Sequence, residues 1–354
     1  MKYRCVAGQC AVILVNFCNA SDTIACLRAL SRLQEEPGMI IVIDNNSQDD
    51  SLADILQAWS AFAEPLLLSA DTANVSVPPG TRNILLARSI NDGFAGGNNA
   101  GIRLALQNSA CQAVWLLNND AIPEPNALHA LCQRMSSEKI PGIVGSTLVY
   151  WQDKSTVQAL AGSTVNRVLG TTSAICGGHT LQEAINVPQH DVEQRLDYIN
   201  GASMLLRREV VEAIGLFDEK FFLYYEETEY CIRTHKAGFA LAWAPESIVY
   251  HKEGGSTGAV SKGKNRAFSR PAWVDYLGLR NRVYMMRKHY PWFLPIVVLS
   301  YVGVMLNRVR RGQAERIALV CRALWDGMCA HMGRPNALLP PEPSRKREQK
   351  CSPA

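Results

Sequence analysis

Three carboxylates crowd together at Glu226, Glu227 and Glu229, in the stretch FFLYYEETEYCIRTHKAGFALAWAPESIVYH over residues 221–251. A carboxylate so placed can take a proton from an attacking hydroxyl. It can equally do no more than complement the positive end of a helix, with Glu229 pairing to Arg233 one turn on. The stretch ends on His251, which reads as a strand-end residue or as a metal ligand. Asn118, Asn119 and Asp120 close the apolar run AVWLL. A buried strand that ends in three polar residues projects them into a cleft. There a hard cation such as Mg2+ or Mn2+ would take carboxylate oxygen and share its shell with diphosphate. Asp44 ends MIIVID ahead of Asn45, Asn46 and Ser47. That is a sound turn and also a position from which an acid reads a nucleobase or ribose. GFAGGNNAG, at 93–101, misses the spacing of the dinucleotide fingerprint and follows the third strand instead of the first. It reads as a phosphate-proximal loop at a helix N-terminus or as a tight turn.

These residues must be held by an α/β framework. CAVILVNF at 10–17 is a β-rich apolar run, and Ser21 and Asp22 then offer a helix cap ahead of Ile24, Leu27, Leu30 and Leu33 at helical spacing. MIIVID is a strand of the kind buried on both faces of a parallel sheet. A helix from about Ser51 follows, then a loop over 70–82 and further strands at 83–90, 113–120 and 198–207. Pro123 and Pro125 open a helix to about Met135, and residues 152–196 read as a hairpin-bearing insertion. The acid cluster heads a helix that runs to about Lys236 and stops at Gly238. A hairpin, turning at Pro245, leads to His251. The expectation is a doubly wound, mainly parallel α/β sheet flanked by helices. Ligands collect at the carboxyl ends of such strands, where Asn16 and Asp44 lie.

Composition describes a globular chain: 354 residues, 47% hydrophobic and 19% charged. The net charge of +4 hides an asymmetry. Residues 1–261 hold 18 Lys and Arg against 27 Asp and Glu, a balance of −9, whereas residues 262–354 hold 18 against 5, a balance of +13. A basic block of this kind suits an anionic partner, nucleic acid or a membrane surface. Within it WVDYLGLRNRVYMMRKHY reads as an amphipathic basic helix. The uncharged run at 292–306 is too short to span a bilayer and is interrupted by Pro295. It reads as an interfacial segment or as a buried packing helix, and a membrane surface is the expected partner in preference to nucleic acid. Eleven cysteines without paired spacing suggest reduced thiols in the cytosol, with neither a zinc site nor a disulfide framework. The apolar N-terminal run leads straight into a strand–turn–helix unit, unlike a signal peptide. The expected divisions are a catalytic domain at 1–255, a helical membrane-associating region at 256–340 and a disordered tail at 341–354.

Taken collinearly, VNF at 15–17, IDNNSQDDS at 43–51, NDGFAGGNNAGI at 91–102, WLLNNDAIPEP at 115–125, the segment 199–239, VYHKEGGS at 249–256 and YLGLRNRVYMMRKHYP at 276–291 make the chain resemble a known family. It is similar to the inverting family 2 glycosyltransferases of the GT-A fold, most of all their rhamnosyltransferase-like branch from bacterial surface-polysaccharide pathways. The resemblance implies that Asp44, beside Asn16 and Asn46, meets the nucleoside of a nucleotide-sugar donor. Gly93, Gly96 and Asn98 would lie near its phosphates, and Asn118, Asn119, Asn200 and Gly201 would line the donor and acceptor side. Asp120 would hold Mg2+ or Mn2+ together with His251. Glu227 stands where the family's catalytic Asp sits, with Glu226 before it. Two departures are Asn at 118, which leaves one acid in the DxD position, and Glu for Asp at 227. The implied activity is transfer of rhamnose from dTDP-rhamnose to a glycan or polyprenyl-diphosphate-linked acceptor at the cytoplasmic side of the inner membrane. UDP-galactofuranose, UDP-hexoses or UDP-N-acetylhexosamines are alternative donors, and a non-catalytic nucleotide-sugar- or glycan-binding member is the alternative role.

Overall fold

The computed structural model describes residues 4–69, 75–137, 141–252 and 271–338. In chain order the first half runs β1 (Cys10–Asn16), α1 (Ala20–Leu30), β2 (Met39–Asp44), α2 (Ser51–Ser60), β3 (Leu66–Ser69), β4 (Asn83–Ala87), α3 (Gly93–Leu106), β5 (Ala113–Leu117), β6 (Ala121–Pro123), α4 (Ala127–Met135) and β7 (Ile143–Tyr150). Then come β8 (Val157–Leu160), β9 (Gly162–Val165), β10 (Thr172–Ala174), α5 (Leu181–Ala184), α6 (Gln189–Arg195), β11 (Tyr198–Ile199), β12 (Ser203–Arg207), α7 (Arg208–Ile214), α8 (Glu226–Lys236) and β13 (Leu241–His251). The helices α9 (Ala272–His289), α10 (Leu294–Arg310) and α11 (Ile317–Cys329) follow.

One sheet runs in the order β3-β4-β2-β1-β5-β12-β7-β13-β6, with β8 on β7. Strands β1 to β5 pair in parallel, β12 runs against both β5 and β7, and β13 runs parallel to β7. The carboxyl ends of β1, β2, β4, β5, β7 and β13 therefore share one edge with the amino end of β12. Every polar cluster singled out in the sequence lies along that edge. The continuous apolar runs of β1, β2 and β5 are buried on both faces by helices, as a parallel sheet requires. Helix α3 comes close to β1 because a Cβ at Gly97 would stand 2.7 Å from Val15 and one at Gly101 would stand 2.6 Å from Ile13.

The structure corrects the element reading in four places. Pro123 lies in β6, on the sheet edge where a missing N–H is tolerated, and α4 begins only at Ala127. The expected hairpin before His251 is a single strand, β13, parallel to β7 throughout, with a shift of register between Ala244 and Ile248. Pro245 sits in that bulge and its carbonyl accepts from Thr147 Oγ1 at 2.9 Å. Pro295 opens α10 instead of interrupting it, being in the first turn where its lost N–H is unneeded. Helix α9 does not show a basic outer face, for Arg280 and Arg282 are 1% and 8% exposed.

The three-stranded antiparallel sheet β10-β9-β11 fills much of the insertion expected at 152–196. The expected boundary near residue 255 and the disordered tail at 341–354 fall outside the described residues. Beyond that boundary, Val283, Met285, Met286, Val297 and Tyr301 belong to the same buried cluster as Ile13, Phe221 and Tyr230, so α9 and α10 share the core of the sheet.

Candidate active site

The carboxyl ends of β1, β2 and β5 carry a continuous polar network. Asn16 and Asp44 are register partners at the ends of β1 and β2. Asn16 Nδ2 donates to Asp44 Oδ1 at 2.9 Å and to Ser47 Oγ at 3.1 Å, and Thr23 Oγ1 donates to Asn16 Oδ1 at 2.8 Å. Asn119 Nδ2 joins by donating to Thr23 Oγ1 at 2.9 Å. Asp44 also accepts Ser47 N–H at 3.0 Å, so the turn reading of this aspartate holds and its carboxylate is fixed in place for any further contact. Asn46 takes a left-handed backbone, φ 62°, and its side-chain oxygen accepts from Gln48 Nε2 at 2.9 Å.

The glycine-rich stretch is tied into the fold where its helix begins. Helix α3 starts at Gly93 itself, with φ 73°, and a Cβ there would lie 2.1 Å from the Phe222 carbonyl oxygen. The first N–H groups of α3 are already satisfied. Gly93 donates to Asn91 Oδ1, Phe94 and Ala95 to the Phe222 carbonyl, and Gly96 to the Asp92 carbonyl. Asn98 turns back to the Phe94 carbonyl at 2.9 Å. Gly93 packs against Phe222, and Phe94 and Ala95 donate to its carbonyl, so the start of α3 is joined to the loop before α8, while Gly96 and Asn98 bond within their own end of the helix.

Asn118, Asp120 and His251 come together from β5 and β13. His251 Nε2 lies 3.1 Å from Asp120 Oδ1 and 3.2 Å from Asn118 Nδ2, while Nδ1 lies 2.9 Å from Gln158 Oε1. Gln158 Oε1 only accepts, so it places the ring proton on Nδ1 and leaves the Nε2 lone pair to accept from Asn118 Nδ2 beside the Asp120 carboxylate. A divalent ion could take the Nε2 lone pair and the Asp120 carboxylate together. Asn118 Oδ1 is a buried acceptor with no hydrogen-bond partner. Carboxylate, imidazole and amide oxygen together fit a hard divalent ion that draws its remaining ligands from a substrate.

Segment 200–202 joins this cluster to the acids of α8. Asn118 N–H donates to the Ala202 carbonyl at 3.1 Å, and Asn200 Oδ1 accepts Ala202 N–H at 2.9 Å. A Cβ on Gly201 would stand 3.4 Å from the Phe94 ring and 4.0 Å from Glu227 Cβ. Glu226 and Glu227 each present a buried Oε2 without a partner. Burial, and then the neighbouring Glu227, raises the Glu226 carboxyl well above the usual carboxylate range. Burial pushes Glu227 up to about 7, against the pull of the backbone N–H groups at the helix start. Glu226 is 2% exposed and Glu227 half-buried, so of the two Glu227 lies nearer the surface. Two neighbouring carboxyls raised toward neutrality make a proton acceptor that works near pH 7.

Glu229, two residues beyond Glu227, has the opposite character. It is fully buried, and burial alone would raise it; His289, Arg233 and Lys288 hold it down to about 2. Arg233 Nε bonds both oxygens at 3.0 and 2.9 Å, Lys288 Nζ lies at 2.9 Å and His289 Nε2 at 3.1 Å. Glu229 ties α8 to α9 and has no free face.

Sequence reasoning missed what aims the acids. Phe222, Tyr224 and Tyr225 all have left-handed backbones, with φ of 67°, 73° and 72°. For side-chain-bearing residues this conformation is costly and needs support from its surroundings. Asn281 of α9, fully buried, supplies that support: its Nδ2 lies 2.9, 2.9 and 2.8 Å from the carbonyls of Phe221, Leu223 and Tyr224. Two protons serve three acceptors, so one is shared. Arg280 adds a contact to the Phe221 carbonyl at 3.3 Å. The only signal in the sequence was a polar Arg-Asn-Arg triplet in an otherwise apolar helical stretch. Asn281→Leu is expected to cost about 1–3 kcal/mol, because it strands these carbonyls. It should also expose the aromatic loop at 221–225 to chymotrypsin. Unfolding in urea together with the cleavage pattern would check this, and wild-type resistance at 221–225 would remove the positioning role.

A family model described as Glycosyltransferase like family 2 matches residues 8–269. Among curated proteins, the low-salt glycan biosynthesis hexosyltransferase Agl10 of Haloferax volcanii is 25% identical over 230 residues, 64% of this chain. The match spans 61% of that relative's length. The dTDP-rhamnosyl transferase RfbF of Shigella flexneri is 23% identical over 283 residues, covering 78% of this chain and 81% of the relative. Among solved structures, the mannosyltransferase PcManGT of Pyrobaculum calidifontis, in complex with GDP-Man and Mn2+, superposes with a TM-score of 0.52 at 13% identity, over 92% of this chain and 88% of that one. GalNAc-T7 with UDP, GalNAc and Mn2+ gives 0.54 at 13% identity, over 90% and 55%. These likenesses are of fold: both neighbours are GT-A glycosyltransferases.

Proposed function

The chain belongs to the glycosyltransferase-like family 2, and from that premise we propose that it moves a sugar from a nucleotide-sugar to a glycan or lipid-linked acceptor with inversion at the anomeric carbon. The observation that carries this reading is the opposition, across segment 200–202, of the raised Glu226–Glu227 pair and the Asn118–Asp120–His251 cluster. The ionised carboxylate of Glu227 takes the proton of the acceptor hydroxyl. The hydroxyl oxygen bonds to the anomeric carbon as the bond from that carbon to the diphosphate oxygen breaks, and the electron pair leaves with the diphosphate. Glu226 keeps its proton and its neutrality, so that one negative charge is present in the pair. Asn16, Asp44 and Asn119 form the polar floor against which the nucleoside is placed. Asp120, His251 and Asn118 would hold a divalent ion, Mn2+ or Mg2+, which supplies charge neutralisation for the leaving diphosphate. Arg88, bonded to Asn45 Oδ1 at 3.2 Å and to Asp92 at 2.9 Å, stiffens the wall of the same edge.

dTDP-rhamnose is the first donor to test, on the strength of the motif pattern and the rhamnosyltransferase relative. The test is a thermal-shift panel of nucleotide-sugars with and without Mn2+. A donor at one hundred times its Kd should stabilise the fold by roughly 2.7 kcal/mol. Asp120→Asn should abolish the added effect of Mn2+ while leaving the nucleotide response in place. If no nucleotide-sugar shifts the melting temperature, the reading fails.

The proposed location is the cytoplasmic face of the inner membrane, with peripheral attachment. Pro291–Arg310 is long and apolar enough to cross a bilayer by length and composition, yet α10 is fastened to α9, with Tyr301 O–H donating to the Leu279 carbonyl. Its outer face presents Trp292, Ile296, Leu299, Val302, Leu306 and Val309, of which Trp292 is 91% and Leu299 70% exposed. A helix bound to protein on one side and apolar on the other suits a position lying in the lipid interface.

A further inference from the structure

Beside the exposed stripe of α10 lies a cavity of about 430 Å³ that the catalytic reading does not use. Arg282 of α9, Arg308 at the end of α10 and the adjoining Arg311 line it, with Ser300, Asn307 and Leu169. No carboxylate is among its lining residues. Arg308 is neutralised by Asp275 at 2.6 Å, but Arg282 pairs with no acid among the described residues; its guanidinium contacts Ser300 Oγ and lies over the Tyr301 ring. Arg282 is 8% exposed, and its Nε is a buried donor without a partner, as is Nε of Arg308. Three guanidinium groups around a cavity with no carboxylate in its lining match phosphate oxygens in charge and geometry.

Two placements say which phosphate. Gly303 of α10 lies at the rim of the cavity, one helical turn from both Leu299 and Leu306 of the exposed apolar stripe. An anion in the cavity that carries a hydrocarbon chain would lay the chain along that stripe. The cavity also adjoins the catalytic loop. Leu169 and Thr171 line it, and the carbonyl of Gly170 between them accepts Tyr225 O–H at 3.0 Å, one residue before Glu226.

We infer that this arginine cavity binds the diphosphate of a polyprenyl-diphosphate-linked acceptor, with the lipid chain along α10 and the sugar directed toward Glu227. The inference rests on the transferase reading and adds the group by which the acceptor is held. The probe is a polyprenyl diphosphate in neutral phosphatidylcholine vesicles, with bound protein measured by flotation. Added polyprenyl diphosphate should raise the bound fraction, and free pyrophosphate should compete the increment away. Arg311→Ala, at an exposed position, should weaken the diphosphate-dependent part about tenfold, the worth of one charge-assisted hydrogen bond. Arg322→Ala, which removes an equal charge outside the cavity, should retain the increment. The assignment is overturned by any of three results: no increment, an increment that survives Arg311→Ala, or an equal Arg311-dependent increment from an anionic phospholipid at matched charge. A protein stabilised by a nucleotide-sugar but indifferent to polyprenyl diphosphate loses this inference alone. One that responds to neither loses the transferase reading as well.

Discussion

Glu227→Gln is expected to cut turnover by about 10²–10⁴-fold and, above pH 7, to raise the melting temperature. The two effects have one cause. Burial pushes the Glu227 carboxyl up to about 7, so the folded protein holds that proton more tightly than the unfolded chain does. The stability linked to this proton is complete below the ordinary carboxylate pKa of about 4.3 and is lost as pH rises through about 7. A glutamine never ionises, so the variant avoids that loss while also lacking the base. The wild-type rate should accordingly rise with pH through about 7, as Glu227 ionises. Initial rates between pH 5 and pH 9, paired with melting curves, test both halves. Wild-type turnover in the variant would move the base elsewhere. A variant that is inactive but less stable at pH 8 would indicate that Glu227 is structural. Glu227→Asp bears on the departure noted at this position, and it should keep part of the activity that glutamine abolishes.

Glu229→Ala should be the most destabilising change among the acids of α8, costing about 3–5 kcal/mol, because it removes the buried anion that Arg233, Lys288 and His289 share. Its pH dependence runs opposite to that of Glu227. His289, Arg233 and Lys288 hold the Glu229 carboxyl down to about 2 in spite of burial. The stability from this network is therefore present above the unfolded carboxylate pKa and lost as pH falls through about 2. Urea midpoints of the wild type should decline across that acid range, and those of Glu229→Gln should decline less. A loss under about 1 kcal/mol for the alanine variant would reduce the network to the standing of a surface pair. One turn of helix thus holds two kinds of carboxylate, separated by surroundings alone. No basic side chain among the described residues pairs with Glu227, whereas Arg233, Lys288 and His289 all bond Glu229.

Apolar patterning along the chain dictates the framework. Apolar runs such as CAVILV and MIIVID admit few solutions other than strands buried on both faces, and polar residues directly after them must emerge at one sheet edge. Asn16, Asp44, Asn118 and Asp120 were legible for that reason. So were the start of α8 and the i,i+4 pairing of Glu229 with Arg233, which depend only on local spacing. Contacts across the fold left little local trace. The Pro245 turn read as a hairpin because periodicity cannot distinguish a bulge from a reversal, and only pairing with β7 settles it. The start of α3 carries no local sign that Phe94 and Ala95 donate to the carbonyl of Phe222, far along the chain. Cys5, Cys10 and Cys132, scattered in sequence, pack with sulfur separations of 3.6 and 3.5 Å. Asn281 and Arg282 looked like parts of a basic surface. Tertiary packing instead buries one against a strained loop and sets the other at the wall of a cavity. A buried polar side chain takes its role from its partners, and those partners are chosen by the fold, not by neighbours in the chain.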